Sequence, residues 1–412
     1  MNTKPKHLKA TDLRATARLA SQATAGLVDL VEAVHARIAT LPLTGPASQR
    51  TRGITGLVYN IVRGVSHGVG SSVDALLGLL EPAVKNAAPG LATPEREAVI
   101  AVLNGVLGDH LAATGSPLAI SMALRVRGQA LHIQRDSLAA ALPQATGRVL
   151  VLLHGLCMND LQWQRDGHKH QHQHQHDHGA MLAREALWTP LYLHYNSGLH
   201  IASNGQQLAL LLQQLTAAWP RPITQLALLG HSMGGLVARS AIHCAQQAGM
   251  AWPAQLTDLV CLGSPHHGAP LERAGHGVDL LLNATPYSAP FKRLGQLRSA
   301  GITDLRHGYL LANDGQKNER RTPVPPIPLP AGIRSYAVAA TLAQRGDALQ
   351  TRVSHAVLGD GLVPLDSALG RHPDPQFDLG FAADKTLVVH GIGHLDLLSH
   401  AEVAEQIKRW LP

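Results

Sequence analysis

The chain has 412 residues, of which 45% are hydrophobic and 15% charged, with 35 Lys and Arg against 28 Asp and Glu for a net charge of +7. This excludes a disordered or acidic solvating chain. It leaves room for two or three domains, or for one α/β domain with an appendage. The basic residues form no stripe interleaved with aromatics, so nucleic acid is not an expected partner. Attraction to anionic lipid surfaces stays open. Histidine is the outlier, with 25 residues, six of them in the run from His168 to His178.

In chain order, the basic start MNTKPKHLKATDLRA is not followed by an apolar run and does not read as a secretory signal. No stretch of about 18 apolar residues suggests a membrane span. The expected location is therefore the cytoplasm, with membrane association left open. Leu27, Leu30, Val31, Val34, Ile38 and Leu41 form one face of an amphipathic helix ending at Pro42. The apolar segment Ile54–Leu80 is rich in glycine, prolines 82, 89 and 94 punctuate the next stretch, and a helical pattern runs from Glu95 to Leu111. Residues 1–127 thus read as a helical N-terminal region. It is either a lipid-surface module, or a helical cap on the following domain or a mediator of self-association. The second is preferred, because the apolar faces lack a Lys-rich opposite face.

Residues 128–412 carry a different pattern. Apolar runs at Leu131–Ile133, Arg148–Leu153, Leu187–Tyr195, Ile223–Leu229, Leu256–Leu262, Ile333–Ala339 and Lys385–Val389 read as strands. Helical stretches lie between them, notably Gly205–Trp219 and Met233–Ala248. The alternation predicts an α/β fold with a mostly parallel, doubly wound sheet. The Gly-, Pro- and Leu-rich insert from Pro270 to Pro330 breaks the pattern and reads as a functional insertion such as a lid.

Chemistry points to Gly230-His231-Ser232-Met233-Gly234-Gly235, a Gly-x-Ser-x-Gly motif directly after a strand and directly before a helix. That is the context of a nucleophile elbow, with Ser232 on a strained turn. A serine hydroxyl needs a base, and the base needs an orienting acid. In this arrangement the acid and then the histidine follow the serine in the chain. His394, beyond two glycines after the last strand, is preferred as base, with His390 as rival. Asp360, flanked by glycines, is the candidate acid, ahead of Asp366, Asp374 and Asp378, which read as surface carboxylates or turn formers. An oxyanion hole needs two backbone amides. Met233, after the nucleophile, and Leu156, in the loop after Arg148–Leu153, are the candidates. His154 reads as a brace for that loop, and His266 and His267 as shapers of the pocket.

His-Gly-Leu after a strand, GHSMGG, GSPHHGAP, GDGLVP and GHLDLL, in this order, resemble the bacterial lipase and esterase branch of the α/β-hydrolases and the related GPI inositol-deacylase-like group. The resemblance covers residues 128–412. It implies an α/β-hydrolase fold, Ser232 as nucleophile, Asp360 as acid, His394 as base, and Leu156 and Met233 as oxyanion donors. It also implies that residues 270–330 form the lid and acyl-binding wall. The expected activity is hydrolysis of an acyl ester or lipid. A thioesterase or amidase with the same triad, or a non-catalytic lipid-binding protein, are the alternatives.

No cofactor and no metal are expected. Asp396 matches a stretch that binds calcium in some secreted lipases, but His400 stands where an oxygen ligand would be needed, and calcium is not predicted. The six histidines from His168 to His178 project from one side of an extended chain, a pattern suited to Zn, Ni or Cu. The preferred reading is a solvated loop near the site entrance. Cys157, Cys244 and Cys261 read as small buried hydrophobes, and not as a disulfide framework or zinc site.

Overall fold

A computed structural model of the chain describes residues 94–113, 115–116, 118–166, 175–269, 299–312, 326–345 and 359–412. The expected helices before residue 94, most of the histidine run and most of the 270–330 insert lie outside the described residues.

Among the described residues, eight strands form one sheet in the order β10-β9-β8-β7-β3-β6-β1-β2. The strands are β1 (Ala123–Val126), β2 (Gln129–Ala130), β3 (Arg148–Leu153), β6 (Thr189–His194), β7 (Gln225–His231), β8 (Leu256–Leu262), β9 (Arg334–Thr341) and β10 (Thr386–His390). From β10 to β6 every pairing is parallel, and β1 and β2 add an antiparallel edge. A short separate hairpin, β4 (Arg165–Asp166) with β5 (Gln175–His176), flanks the histidine run.

Strand β3 explains the layering. Its sequence RVLVLL is apolar after Arg148 because it is flanked by β6 and β7 and covered on both faces. Side chains alternate across a strand, so Val149, Val151 and Leu153 join one core and Leu150 and Leu152 the other. The first core is closed by helices α1 (Pro94–Ala113), α2 (Arg135–Ala141), α4 (Ile201–Ala218) and α5 (Met233–Gln247), the second by α3 (His178–Ala186) and α8 (Ala401–Trp410). Each fully buried leucine in these layers contributes about 1.5–3 kcal/mol from apolar burial. No helix among the described residues is long and apolar enough to cross a membrane.

Two details differ from expectation. The strand expected at Leu131–Ile133 lies earlier, as the β1–β2 hairpin, where Val126 pairs with Gln129. Its two-residue turn has positive φ at both Arg127 (51°) and Gly128 (74°), the geometry that suits the twist of a hairpin. The second difference is a helix inside the insert, α6 (Ala300–His307). Ser299 caps its start by accepting from the Ile302 amide at 3.3 Å, and Gly308 ends it at φ 70°.

Helix α1 belongs to the same packing as the sheet. Its Val102, Val106 and Leu111 are buried in the first core. Gly105 and Gly108 bring its backbone close to the loops after β3 and β6, where any side chain would collide with Cys157 and Asn196.

Candidate active site

The carboxyl ends of the parallel strands β3, β7, β8, β9 and β10 converge on one edge of the sheet, where ligands bind in open α/β folds. At the end of β7, Ser232 has φ 55° and ψ −123°. This sparsely populated conformation costs on the order of 1–3 kcal/mol, which the surrounding packing must supply. Glycine makes the turn feasible. A side chain at Gly230 would run into the backbone of Gly234 and Gly235, and one at Gly234 into the Leu153 carbonyl. Ser232 stands at the N-cap of α5, yet its hydroxyl makes no capping bond. Its amide donates to the Leu262 carbonyl at 2.8 Å, which locks the turn against β8.

Asp360 and His394 meet over the same edge. His394 Nδ1 lies 2.7 Å from Asp360 Oδ2, and both side chains are almost completely buried. The other carboxylate oxygen, Oδ1, accepts from the amides of Leu362 (3.0 Å) and Val363 (2.8 Å). The Asp360 carbonyl accepts from the His394 amide at 3.1 Å. A carboxylate satisfied in this way fixes the imidazole tautomer, with Nδ1 as donor and Nε2 carrying the lone pair. His394 Nε2 is buried and has no hydrogen-bond partner. A buried polar atom left open in this way calls for an explanation, and a reacting partner is one.

His394 and Ser232 share their neighbours. The His231 ring is 4.7 Å from the His394 ring, and His231 Nε2 lies 3.2 Å from the His394 carbonyl. Gly263, which follows the Leu262 that holds the Ser232 amide, leaves space for the imidazole: a Cβ there would lie 3.1 Å from His394 Nδ1. Asp396 stabilises the turn His394–Leu398 by accepting from the Gly393 amide at 2.8 Å.

The loop after β3 borders the serine. A Cβ on Gly155 would sit 3.1 Å from the Ser232 Cβ. Met233 is the first residue of α5, where an amide has no intrahelical acceptor. Leu156 is buried in the loop, and its amide meets no acceptor among the described residues. His154 braces this loop from below. Its ring stacks on Tyr195 at 4.2 Å, Nδ1 bonds the Gly155 carbonyl at 2.8 Å, and the Tyr195 hydroxyl donates to the His154 carbonyl at 2.7 Å. Burial pushes the His154 pKa down to about 3, so it is a neutral strut.

The remaining candidates are placed elsewhere. His390 ends β10 and is not the histidine bonded to Asp360. Asp374 accepts from the Gln376 amide, and Asp378 from the amides of Gly380 and His372, as turn formers do. Asp366 lies in the first turn of the short helix α7 (Leu365–Ala368). His168, His170, His172 and His174 lie outside the described residues. Cys157 and Cys261 are buried free thiols, each pushed up to about 12 by burial, and Cys244 is half-buried. No group of three or more His, Cys, Asp or Glu among the described residues could hold a metal ion.

Two buried polar groups were not legible in the sequence. Asp160, just beyond the Leu156 loop, is 3.2 Å from Arg125 Nη1 and 3.1 Å from His194 Nδ1. Burial acts to raise its pKa, but the bond to His194 and the charge of Arg125 outweigh it and hold the carboxyl below its usual range. Arg239 of α5 is buried against His266 Nδ1 at 3.0 Å and donates to the Ile327 carbonyl. The His266 ring is held neutral, chiefly by burial and then by the Arg239 charge. The only local signals were Asp160 within Asn-Asp-Leu-Gln-Trp and an arginine on an apolar helix face.

The parallel sheet with helices on both faces and a serine on the strand-to-helix turn is an α/β-hydrolase fold. Residues 144–326 match the family model of the PGAP1-like alpha/beta domain. No curated protein matches the chain. Among solved structures, the mature lipase BlEst2 of Bacillus licheniformis is 18% identical, covering 64% of this chain and 91% of its own, with a TM-score of 0.42. A metagenomic carboxyl esterase, MGS0156, is 17% identical, covering 81% and 98%, with a TM-score of 0.36. The Staphylococcus hyicus lipase is 13% identical, covering 65% and 95%, with a TM-score of 0.36.

Proposed function

We propose that the protein is a serine hydrolase of carboxylic esters. The observation that carries this reading is the His394–Asp360 bond of 2.7 Å, with His394 Nε2 left open and the imidazole packed on the glycine beside the Ser232 turn. Ser232 attacks the acyl carbonyl while His394 Nε2 takes its proton, and Asp360 stabilises the imidazolium that forms. The amides of Leu156 and Met233, with the positive end of α5 behind them, hold the oxyanion. His394 then returns its proton to the leaving alkoxide. Water, deprotonated by the same imidazole, cleaves the acyl-enzyme.

The Leu-rich composition of residues 270–330 favours an apolar acyl chain over a small polar one, and that segment is proposed as lid and acyl-binding wall. Hydrolysis of p-nitrophenyl esters from acetate to palmitate tests both parts. Activity should rise from acetate toward longer chains and vanish in Ser232→Ala. Activity confined to acetate would sink the acyl-chain preference. Hydrolysis that survives in Ser232→Ala would sink the mechanism.

A further inference from the structure

The histidine run contributes two side chains to the described structure, and they touch. His176, the last residue of β5, places Nε2 2.8 Å from Nδ1 of His178, the first residue of α3. His178 is fully buried, and its other nitrogen, Nε2, lies 2.9 Å from the Leu397 carbonyl. A carbonyl only accepts, so His178 Nε2 carries the hydrogen. Its Nδ1 therefore bears the lone pair, and His176 Nε2–H donates to it.

This is the arrangement of a metal-ligating histidine at rest. Such a histidine almost always donates its second N–H to a carboxylate or backbone carbonyl, which fixes the tautomer and aims the lone pair. Here the backbone of the turn His394–Leu398 supplies that carbonyl. His176 is half-buried and can pass its Nε2 proton to Nδ1 through solvent, so that both nitrogens turn lone pairs toward one point. Two imidazole nitrogens at the usual imidazole–metal distance from one tetrahedral ion stand about 3.3 Å apart with the ion off the line between them, so the His176 ring must swing sideways out of its present 2.8 Å hydrogen bond while the buried His178 stays in place. The backbone resists collapse of the pair. His176 is held in the β4–β5 ladder opposite Arg165, and Asp177 caps α3 through the Ala180 amide while accepting from the Tyr192 hydroxyl.

We propose that His176 and His178 form a binding site for a borderline divalent transition ion such as Zn²⁺, Ni²⁺ or Cu²⁺, for which imidazole is the preferred ligand. His176 is half-buried, so water can complete the coordination shell. The carbonyl that orients His178 belongs to the turn that carries His394, so an ion here would sit one hydrogen bond away from that turn. The ester-hydrolase reading is not needed for the site to exist.

The test is a Co²⁺ titration of the full, metal-stripped chain followed by visible absorption, with Zn²⁺ competition and metal analysis after dialysis. Three proteins are compared: wild type, His176→Ala, and a chain with His168, His170, His172 and His174 all changed to Gln. Wild type should bind with a stoichiometric tight phase displaced by Zn²⁺. The fourfold variant should keep that phase. His176→Ala should weaken it by at least the ~10–100-fold that loss of a mere outer-shell partner costs. His178→Ala is a weaker test because its ring is buried and the variant could fail to fold, whereas His176 is half-buried at a strand end. No stoichiometric phase in wild type would overturn the proposal. So would a phase that survives in His176→Ala and disappears in the fourfold variant, since the ion would then belong to the run alone.

Discussion

Asp360 and His394 are 34 positions apart in the chain, yet their side chains meet at 2.7 Å in a buried pocket where the carboxylate is also bound by two backbone amides. The loop after β9 and the turn after β10 are stitched to each other before either reaches substrate: the Leu342 amide bonds the Gly359 carbonyl, and the Ile392 amide bonds the Thr341 carbonyl. Asp360 and His394 are thus positioned by backbone geometry, which leaves little reorganisation for the reacting state of the proposed mechanism.

Asp360→Asn keeps the shape but reverses the hydrogen-bond preference at His394 Nδ1 and favours the wrong tautomer. Steady-state kinetics on a p-nitrophenyl ester should lose on the order of 10⁴ in kcat with KM little changed. A loss below tenfold would show that this carboxylate does not orient the base.

Gly105→Ala tests the contact between α1 and the loop after β3. The new Cβ would lie 2.9 Å from the Cys157 backbone as well as colliding with its sulfur. Overpacking of this kind costs about 1–3 kcal/mol, and Leu156, next to Cys157, should shift with it. Thermal melting should fall by several degrees and kcat should drop more than KM rises. Adding Cys157→Ala should relieve only the sulfur clash and restore part of the loss. An unchanged kcat and melting temperature would remove α1 from the machinery.

Asp160→Asn removes the carboxylate that Arg125 and His194 share beneath the same loop. Breaking one partner of a buried ion pair costs about 3–5 kcal/mol. Arg125 keeps Glu97 at 3.0 Å as a second partner, so the loss should fall toward the lower end. Urea unfolding measures it, and a change below about 0.5 kcal/mol would mean that the network is not structural.

The buried histidines set a pH dependence of stability. His154 titrates near 3 because it is buried, and His266 well below its ordinary value, through burial first and the Arg239 charge second. Their folded pKa values lie below the unfolded value of about 6.5, so the unfolded chain binds more protons in the interval between. Stability is complete above pH 6.5 and declines as pH falls toward 3, by up to about 1.4 kcal/mol per pH unit for each group. Urea midpoints should fall between pH 7 and 5, with a shallower slope in His154→Asn. Midpoints that stay constant over this interval would contradict the assignment.

Legibility in the sequence followed the range of the interactions. Strands β3 and β8 begin and end where the sequence pattern places them, at Arg148–Leu153 and Leu256–Leu262. The β1–β2 hairpin escaped because Gly128 shares its turn with an arginine at positive φ, where Asn, Asp or Gly is the usual signal. Helix α6 escaped although Ser299 and Gly308 bracket it, because the surrounding insert carries no helical period. The Ser232 turn was readable because glycine spacing is a local constraint. The links from Asp160 to Arg125 and His194, and from Arg239 to His266, join distant segments through side chains that look ordinary in their own stretches.

The most direct measurement is labelling of the 412-residue chain with a fluorophosphonate probe, followed by peptide mapping. Wild type should be modified once, at Ser232, with labelling abolished in Ser232→Ala and strongly slowed in His394→Ala. A folded wild-type protein that does not label, or a Ser232→Ala variant that labels as wild type does, would contradict the assignment of Ser232 as an activated nucleophile.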